Sequence, residues 1–320
     1  MKKAFAAILG VFAFVALTAC GSPELGDYKP GLHLGYTEGH ENTYAYVYVD
    51  ADGYIFDIFI DTIYMKTDED GPASWEGRNG EVSGIATTKM SLDYGQGYDM
   101  RNDGLWWHEQ VTAIAGDIVE NQGIADYTIE DGYFDQDADD AIAGVTITVT
   151  GYLEAVGIAL ERAELGEDES PRDFDVPEYE GADLAPGIHF GYTDGHQNTL
   201  GFIAVNEDGN IVYATADTVY LKSNDGPLTW ESRGNEVTGY ATTKMSLDYG
   251  QGYDMNNDGL WWHEQVALLM EDIVANQGIT DYDLDNGNFD EDGDDVVAGV
   301  TISVTGYLEA IENAIARGGE

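Results

Sequence analysis

Residues 44–60 read YAYVYVDADGYIFDIFI, and this stretch decides the fold. Tyr44, Tyr46 and Tyr48 alternate with small or β-branched residues, Asp50-Ala51-Asp52-Gly53 turns the chain, and YIFDIFI returns. A period of two around a glycine-bearing turn predicts an antiparallel hairpin. The arrangement recurs as TLGFIAV (199–205), a turn at Asn206-Glu207-Asp208-Gly209, and NIVYATA (210–216).

The recurrence extends along the chain. ATTKMSLDYGQGYDM stands at 86–100 and again at 241–255, and NDGLWWHEQV at 102–111 and 257–266. One copy is far longer than a solenoid repeat of ~20–50 residues, which predicts tandem domains. We place them at 28–163 and 184–317, joined by an acidic, proline-bearing linker over 164–183 that self-repulsion should extend. After each hairpin, Trp107, Val111, Ile114 and Ile118, and likewise Trp262, Val266, Leu269 and Ile273, share one helical face, and Asn-Gln-Gly ends the pattern. Tyr152, Val156 and Leu160, with Tyr307, Ile311 and Ile315, mark a second helix. Each module is expected to be α+β, an antiparallel sheet packed with helices.

The chain opens with two lysines, an apolar run from Ala4 to Ala16, and small residues before Cys20. This is the pattern of a secretory signal. Cys20 at its end is similar to a bacterial lipobox, which implies lipidation of that cysteine and a lipid anchor on the extracellular face of the cell membrane, with a signal peptide over 1–20. Cys20 is the only cysteine, so disulfides, thiolate metal sites and iron–sulfur clusters are excluded. The net charge is −48, and −50 without the two lysines of the first twenty residues. Such a surface repels nucleic acid and anionic ligands, so no nucleic-acid partner is expected and a phosphate-bearing cofactor would need help to stay bound.

Asp254-Met255-Asn256-Asn257-Asp258-Gly259 begins like an EF-hand loop, but Gln265 stands at the twelfth position and Glu264 falls one place early. In the first copy Arg101 takes a ligand position. An Asx turn capping the following helix is the favoured reading. The six histidines form corresponding pairs (His33 with His189, His40 with His196, His108 with His263) without metal spacing. No metal site and no catalytic residue is assigned.

DDAIAGVTITVTGY (139–152) and DDVVAGVTISVTGY (294–307) hold the candidate site. Each sets an acid, Asp140 or Asp295, six residues before a threonine, Thr146 or Thr301, with Gly144 or Gly299 two before it. GVTITV on its own reads as a short buried strand. With a helix following from Tyr152, the threonine is also expected just before or inside a helix start, where backbone N–H groups favour phosphate and glycine admits close approach.

At these residues the chain resembles the FMN-binding domain that an ApbE-type flavin transferase modifies, whose motif runs Asp-x-x-Ser/Thr-Gly-Ala-Thr. Ala143 and Ala298 replace its Ser/Thr, and Val145 and Val300 its alanine. The tandem copies, the lipobox and the run from Tyr98 to Gln110 and from Tyr253 to Gln265 resemble the tandem FMN-binding lipoproteins of the PplA type, Gram-positive surface flavoproteins of extracellular electron transfer. The resemblance implies two covalent FMN groups, each a phosphoester to threonine. It also implies electron flow from a membrane quinone-linked dehydrogenase to extracellular electron acceptors such as ferric iron. The transferase, with magnesium, would let the threonine hydroxyl attack FAD and expel AMP. Asp140 or Asp295 would position the hydroxyl or the transferase's metal. Tyr98, Trp106 and Trp107, with Tyr253, Trp261 and Trp262, offer flat faces to the flavin ring, although the spacing of Trp107 and Trp262 suits a core equally. Lys89 and Lys244 would pair with the flavin phosphate or with a carboxylate. The alternatives are a surface lipoprotein that binds a peptide, glycan or calcium without flavin, and a flavin-dependent extracellular reductase.

Overall fold

The computed structural model describes residues 25–37, 42–67, 84–98, 100–102, 105–176, 179, 181–193, 198–223, 226–227, 239–253, 255–257, 259–290, 293 and 295–320. The leader with Cys20, His40 and His196, and Asp103, Asp254 and Asp258 of the acidic turns lie outside them. The chain is α+β, with antiparallel sheets and, among the described residues, four α-helices. The first sheet has strands β1 (Gly31–Tyr36), β2 (Thr43–Val49), β3 (Ile55–Thr67) and β4 (Gly84–Thr88) in sequence order. In the second sheet β5 (Gly187–Tyr192), β6 (Thr199–Val205) and β7 (Ile211–Ser223) follow one another, and β8 (Gly239–Thr243) pairs with β7.

The hairpin read from the sequence is β2–β3, in register from Thr43 opposite Thr62 to Tyr48 opposite Asp57, with a bulge beyond Tyr48. Gln122 closes the bulge. Its side chain accepts from the Ile55 N–H at 2.8 Å and donates to the Ile55 carbonyl at 2.9 Å. Gln277 repeats both bonds with Ile211, at 2.9 and 2.7 Å. Each glutamine follows its helix in left-handed backbone, with φ of 54°. The Asn-Gln-Gly that ends each helix therefore also ties it to the sheet.

Helix α1 (Trp107–Asn121) lies across β3 and α2 (Thr150–Ala163) across β1 and β2; α3 (Trp262–Ala275) and α4 (Thr305–Gly318) repeat this on the second sheet. The expected face of α1 is the buried one: Trp107, Val111, Ile114 and Ile118 pack on Ala45, Val47, Val49, Ile58 and Ile60. Fully burying a side chain of this size contributes ~1.5–3 kcal/mol. Gly35 lets α2 lie directly on β1, since a Cβ there would stand 2.0 Å from the Ala155 carbonyl oxygen. Gly191 does the same for α4, 2.1 Å from the Ala310 carbonyl oxygen.

The opposite face of each sheet, to which the sequence pattern assigns no partner, packs against the other sheet. Leu34, Tyr44, Tyr46 and Ile63 form one core with Phe190, Leu200, Phe202, Val219 and Ala241. Tyr46 and Phe202 have ring centres 4.4 Å apart. All seven residues of β2 are buried because helices cover one face and a sheet the other. The two halves thus share four layers, helix–sheet–sheet–helix. A hydrogen bond crosses the seam as well: the Ile188 N–H donates to Asp57 Oδ2 at 2.7 Å.

The segment expected as an extended linker is held against the first half over 164–176. Glu164 bridges Tyr28, the Leu165 N–H donates to the Asp27 carbonyl, and Lys29 meets Glu169 at 3.4 Å. Ser170 caps a short turn at Pro171–Asp173, and buried Pro171 packs against Gly53. A basic residue and these backbone bonds outweigh the self-repulsion of its acids.

Candidate functional site

The stretch containing Thr146 is neither a strand nor a helix start. Residues 141–149 form a loop, and α2 begins at Thr150, four residues beyond the threonine. Two constraints hold the loop. Gly144 has φ of 82° and Gly299 of 89°, left-handed backbone that favours glycine. A Cβ on Gly144 would also stand 2.6 Å from Leu105 Cδ1. The Thr146 N–H then donates to Gln110 Oε1 at 2.7 Å, and the Thr301 N–H to Gln265 Oε1 at 2.7 Å. A strand ladder would need these amides; the glutamines have them instead.

Gln110 and Gln265 sit in the first turn and a half of α1 and α3, fully buried. A buried amide is costly unless bonded. Each uses its nitrogen as well, Gln110 Nε2 donating to the Leu105 carbonyl and Gln265 Nε2 to the Leu260 carbonyl, both at 3.1 Å. The glutamine therefore couples the threonine loop to the chain entering the helix. The phosphate-favouring helix end beside Thr146 is that of α1, not α2 as expected. Glu109 already accepts the Trp106 N–H there at 2.7 Å, and Glu264 the Trp261 N–H at 2.7 Å.

The hydroxyls differ between the copies. Thr146 Oγ1 is buried without a hydrogen-bond partner. Thr301 is exposed, and its hydroxyl donates to Gln265 Oε1 at 3.2 Å. Asp140 is directed elsewhere: its Oδ2 accepts from the N–H and hydroxyl of Thr128, at 2.5 and 3.0 Å. In the second half Asp283 occupies the place of Thr128, and Asp295 is exposed. The acids thus fasten or flank the loop, while the glutamines hold the threonines.

Trp107 and Trp262 belong to the core and present no free face to a flavin. They are 0% and 1% exposed, and each indole N–H donates to a tyrosine, Tyr152 or Tyr307, at 2.8 Å. The Lys89 ammonium lies 4.6 Å from the Tyr98 ring centre and 4.9 Å from that of Trp107; Lys244 lies 4.2 and 4.9 Å from Tyr253 and Trp262. Tyr98 and Tyr253 also meet these tryptophans edge-on. These lysines are therefore engaged with aromatic rings. Burial lowers the Lys244 pKa to about 8 against the pull of Asp217. Of the paired tryptophans, the accessible rings are those of the preceding residues: Trp261 is 39% exposed, and Trp106 is half-buried beneath Arg101, as Tyr98 and Tyr253 are half-buried beside the core tryptophans. Leu105 and Leu260, which touch Gly144 and Gly299, are their chain neighbours.

Among the described residues no group of three His, Cys, Asp or Glu side chains is placed to hold a metal ion. Gln265 and Glu264, weighed as calcium ligands, are committed to Thr301 and Trp261. Nε2 of His33 donates to the Lys29 carbonyl at 2.8 Å, and Nε2 of His189 to the Ala185 carbonyl at 2.6 Å, so both fasten strand entries. Burial lowers the pKa of His33.

No known protein family, curated protein or solved structure matches the chain.

Proposed function

We propose that the chain is a lipid-anchored extracellular electron carrier with FMN attached covalently at Thr146 and Thr301. The observation that supports it best is the twin loop: a left-handed glycine, then a threonine whose backbone N–H is tethered by Gln110 or Gln265. Thr301 is exposed to an incoming transferase, and the buried, unpartnered hydroxyl of Thr146 has no hydrogen bond to lose on turning outward to accept FMN. FMN would supply one- and two-electron redox chemistry. The chain's own part is to hold the phosphoester oxygen, through Gly144 and Gly299, beside the first turns of α1 and α3. Trp106 and Trp261 offer nearby surface for the flavin ring. Covalent attachment also removes the loss of an anionic ligand from a chain of net charge −48. Electrons would enter from a membrane quinone-linked dehydrogenase and leave to extracellular acceptors such as ferric iron. The test is co-expression with an ApbE-type flavin transferase. A yellow protein carrying two FMN masses, each lost with Thr146→Ala or Thr301→Ala, is expected; an unmodified chain beside an active transferase rejects the reading.

One feature favours the flavin-free alternative. A groove of about 720 Å³ lies between β7 and α3, lined by Tyr179, Val212, Leu268, Met270 and Val297. This volume falls in the ~300–1,000 Å³ range of small-ligand sites. An apolar ligand or peptide retained by unflavinylated protein would support that reading.

A further inference from the structure

We propose that Gln110 and Gln265 are positioning residues for covalent flavin transfer, and that they set the rate at which the threonines accept FMN. The inference rests on the flavoprotein reading above. It adds residues that lie 36 positions upstream of their threonines and outside the glycine–threonine motif.

The geometry repeats in both halves. One fully buried carboxamide spans two loops, donating to the carbonyl of Leu105 or Leu260 and accepting from the N–H of Thr146 or Thr301. The loop has no ladder or helix bond of its own at that amide, so the carboxamide fixes where the threonine sits. In the second half the same oxygen also accepts the Thr301 hydroxyl at 3.2 Å. A hydroxyl donating to Oε1 directs its lone pairs away from the core, toward an incoming electrophile. A carboxamide oxygen is a poor base, so its contribution is orientation, and the proton must pass to the transferase or solvent.

The step is phosphoryl transfer. Thr301 Oγ forms a bond to the FMN-side phosphorus of FAD while the anhydride P–O bond breaks. AMP departs with the bridging oxygen, and the hydroxyl proton is released. No electrons are exchanged.

The test uses the full chain carrying Thr146→Ala, so that only Thr301 reports, with purified transferase, FAD and magnesium. Flavinylation is followed by intact mass at varied protein concentration. Gln265→Met keeps the volume but makes neither bond, and is expected to lower the turnover number for transfer at least tenfold with little change in KM for the acceptor protein. Gln265→Glu retains the acceptor to Thr301, but when ionised it cannot donate to Leu260. It should recover much of the rate at acidic pH, where the protonated acid makes both bonds, and lose it as pH rises. A merely structural role would make the rate follow the thermal midpoint in both variants at every pH, whereas positioning predicts a loss of rate at pH values and temperatures where both variants remain folded. Transfer to Gln265→Met at the parent rate overturns the assignment of Gln265 alone. An unmodified parent protein beside an active transferase overturns both this inference and the flavoprotein reading.

Discussion

The guanidinium of Arg162 lies 3.4 Å from the centre of the Tyr249 ring, and this contact joins the last turn of α2 in the first half to a loop of the second. It has a mirror counterpart: Arg317, in the last turn of α4, lies 4.1 Å from the ring of Tyr94. Tyr94 and Tyr249 occupy matching positions in the repeated stretch, both in left-handed backbone with φ of 51° and 54°. Each ring also meets a tyrosine of the other half, Tyr192 or Tyr36. The repeat is therefore reciprocal across the seam. Each half lends an arginine to the other's loop.

That reciprocity gives the first prediction. A cation held over a ring is worth ~0.5–2 kcal/mol, more when desolvated. In a double-mutant cycle, Arg162→Ala and Tyr249→Ala should couple by about 1 kcal/mol in urea unfolding. Arg317→Ala and Tyr94→Ala should couple by a similar amount, while Arg162→Ala and Tyr94→Ala should simply add. Additivity within both facing pairs would show the contacts to be idle.

The sheet–sheet core makes a second prediction, about cooperativity. Phe202 is fully buried and meets Tyr44, Tyr46, Phe59 and Phe190. Phe202→Ala should cost ~3–5 kcal/mol. Because the rings it supports come from strands of both halves, calorimetry should show one transition that moves down as a unit. Two separated transitions, only the later one shifted, would mean that the halves melt independently.

Helices and hairpins are legible because their periods are local. Trp107, Val111, Ile114 and Ile118 sit where the helical spacing puts them, and the β2–β3 register follows the tyrosine alternation. The seam escapes such a reading, although TYAYVYV carries a sign of it. A strand with one wet face alternates with charged residues, and this one has none between Thr43 and Val49. The loop of Thr146 is harder still. GVTITV has the composition of a strand, and what prevents a strand is a bond to a glutamine 36 residues away. No local pattern records such a bond. For the same reason Trp107 and Lys89, which look alike as core or ligand groups in sequence, are assigned only by their mutual packing.

Gly35 and Gly191 furnish a third prediction. They fall in the repeated Gly-Tyr-Thr, and their role is clearance for the helix backbone of α2 and α4. Gly191→Ala would push a methyl to 2.1 Å from the Ala310 carbonyl oxygen and 2.3 Å from the Ala314 nitrogen. Overpacking of this kind costs ~1–3 kcal/mol, and here the obstacle is backbone, so the upper end is expected. Gly116 is the control, because a methyl added there would meet nothing within 4 Å. Gly116→Ala, on the exposed side of α1, should stabilise by up to ~1 kcal/mol. Equal effects at the two sites would refute the clearance argument.

The last prediction concerns pH. Asp61 and Asp217 occupy matching buried positions, at 0% and 1% exposure. Asp61 accepts from Tyr44, Thr62 and Met90, whereas Leu200 replaces the tyrosine beside Asp217, whose Oδ2 has no partner. Burial pushes each carboxyl up to about 6, against the hydrogen bonds that pull it down. An unfolded aspartate titrates near ~3.9. Because the folded value is the higher one, the stabilising contribution is whole below the unfolded pKa and is lost as pH rises through the folded pKa. The window runs from about pH 4 to about pH 6, and each group then costs on the order of 3 kcal/mol. The urea midpoint should therefore be higher near pH 4 than near pH 7, even in ~1 M salt, where the Debye length of ~3 Å suppresses repulsion among the surface acids. Asp61→Asn and Asp217→Asn should each remove a comparable share of that salt-resistant difference, with Asp57 and Asp50, also raised by burial, contributing to the remainder. A difference that vanishes in salt would place its origin on the acidic surface, and one that survives both substitutions would place it at another buried carboxyl such as Asp57, which burial also pushes up.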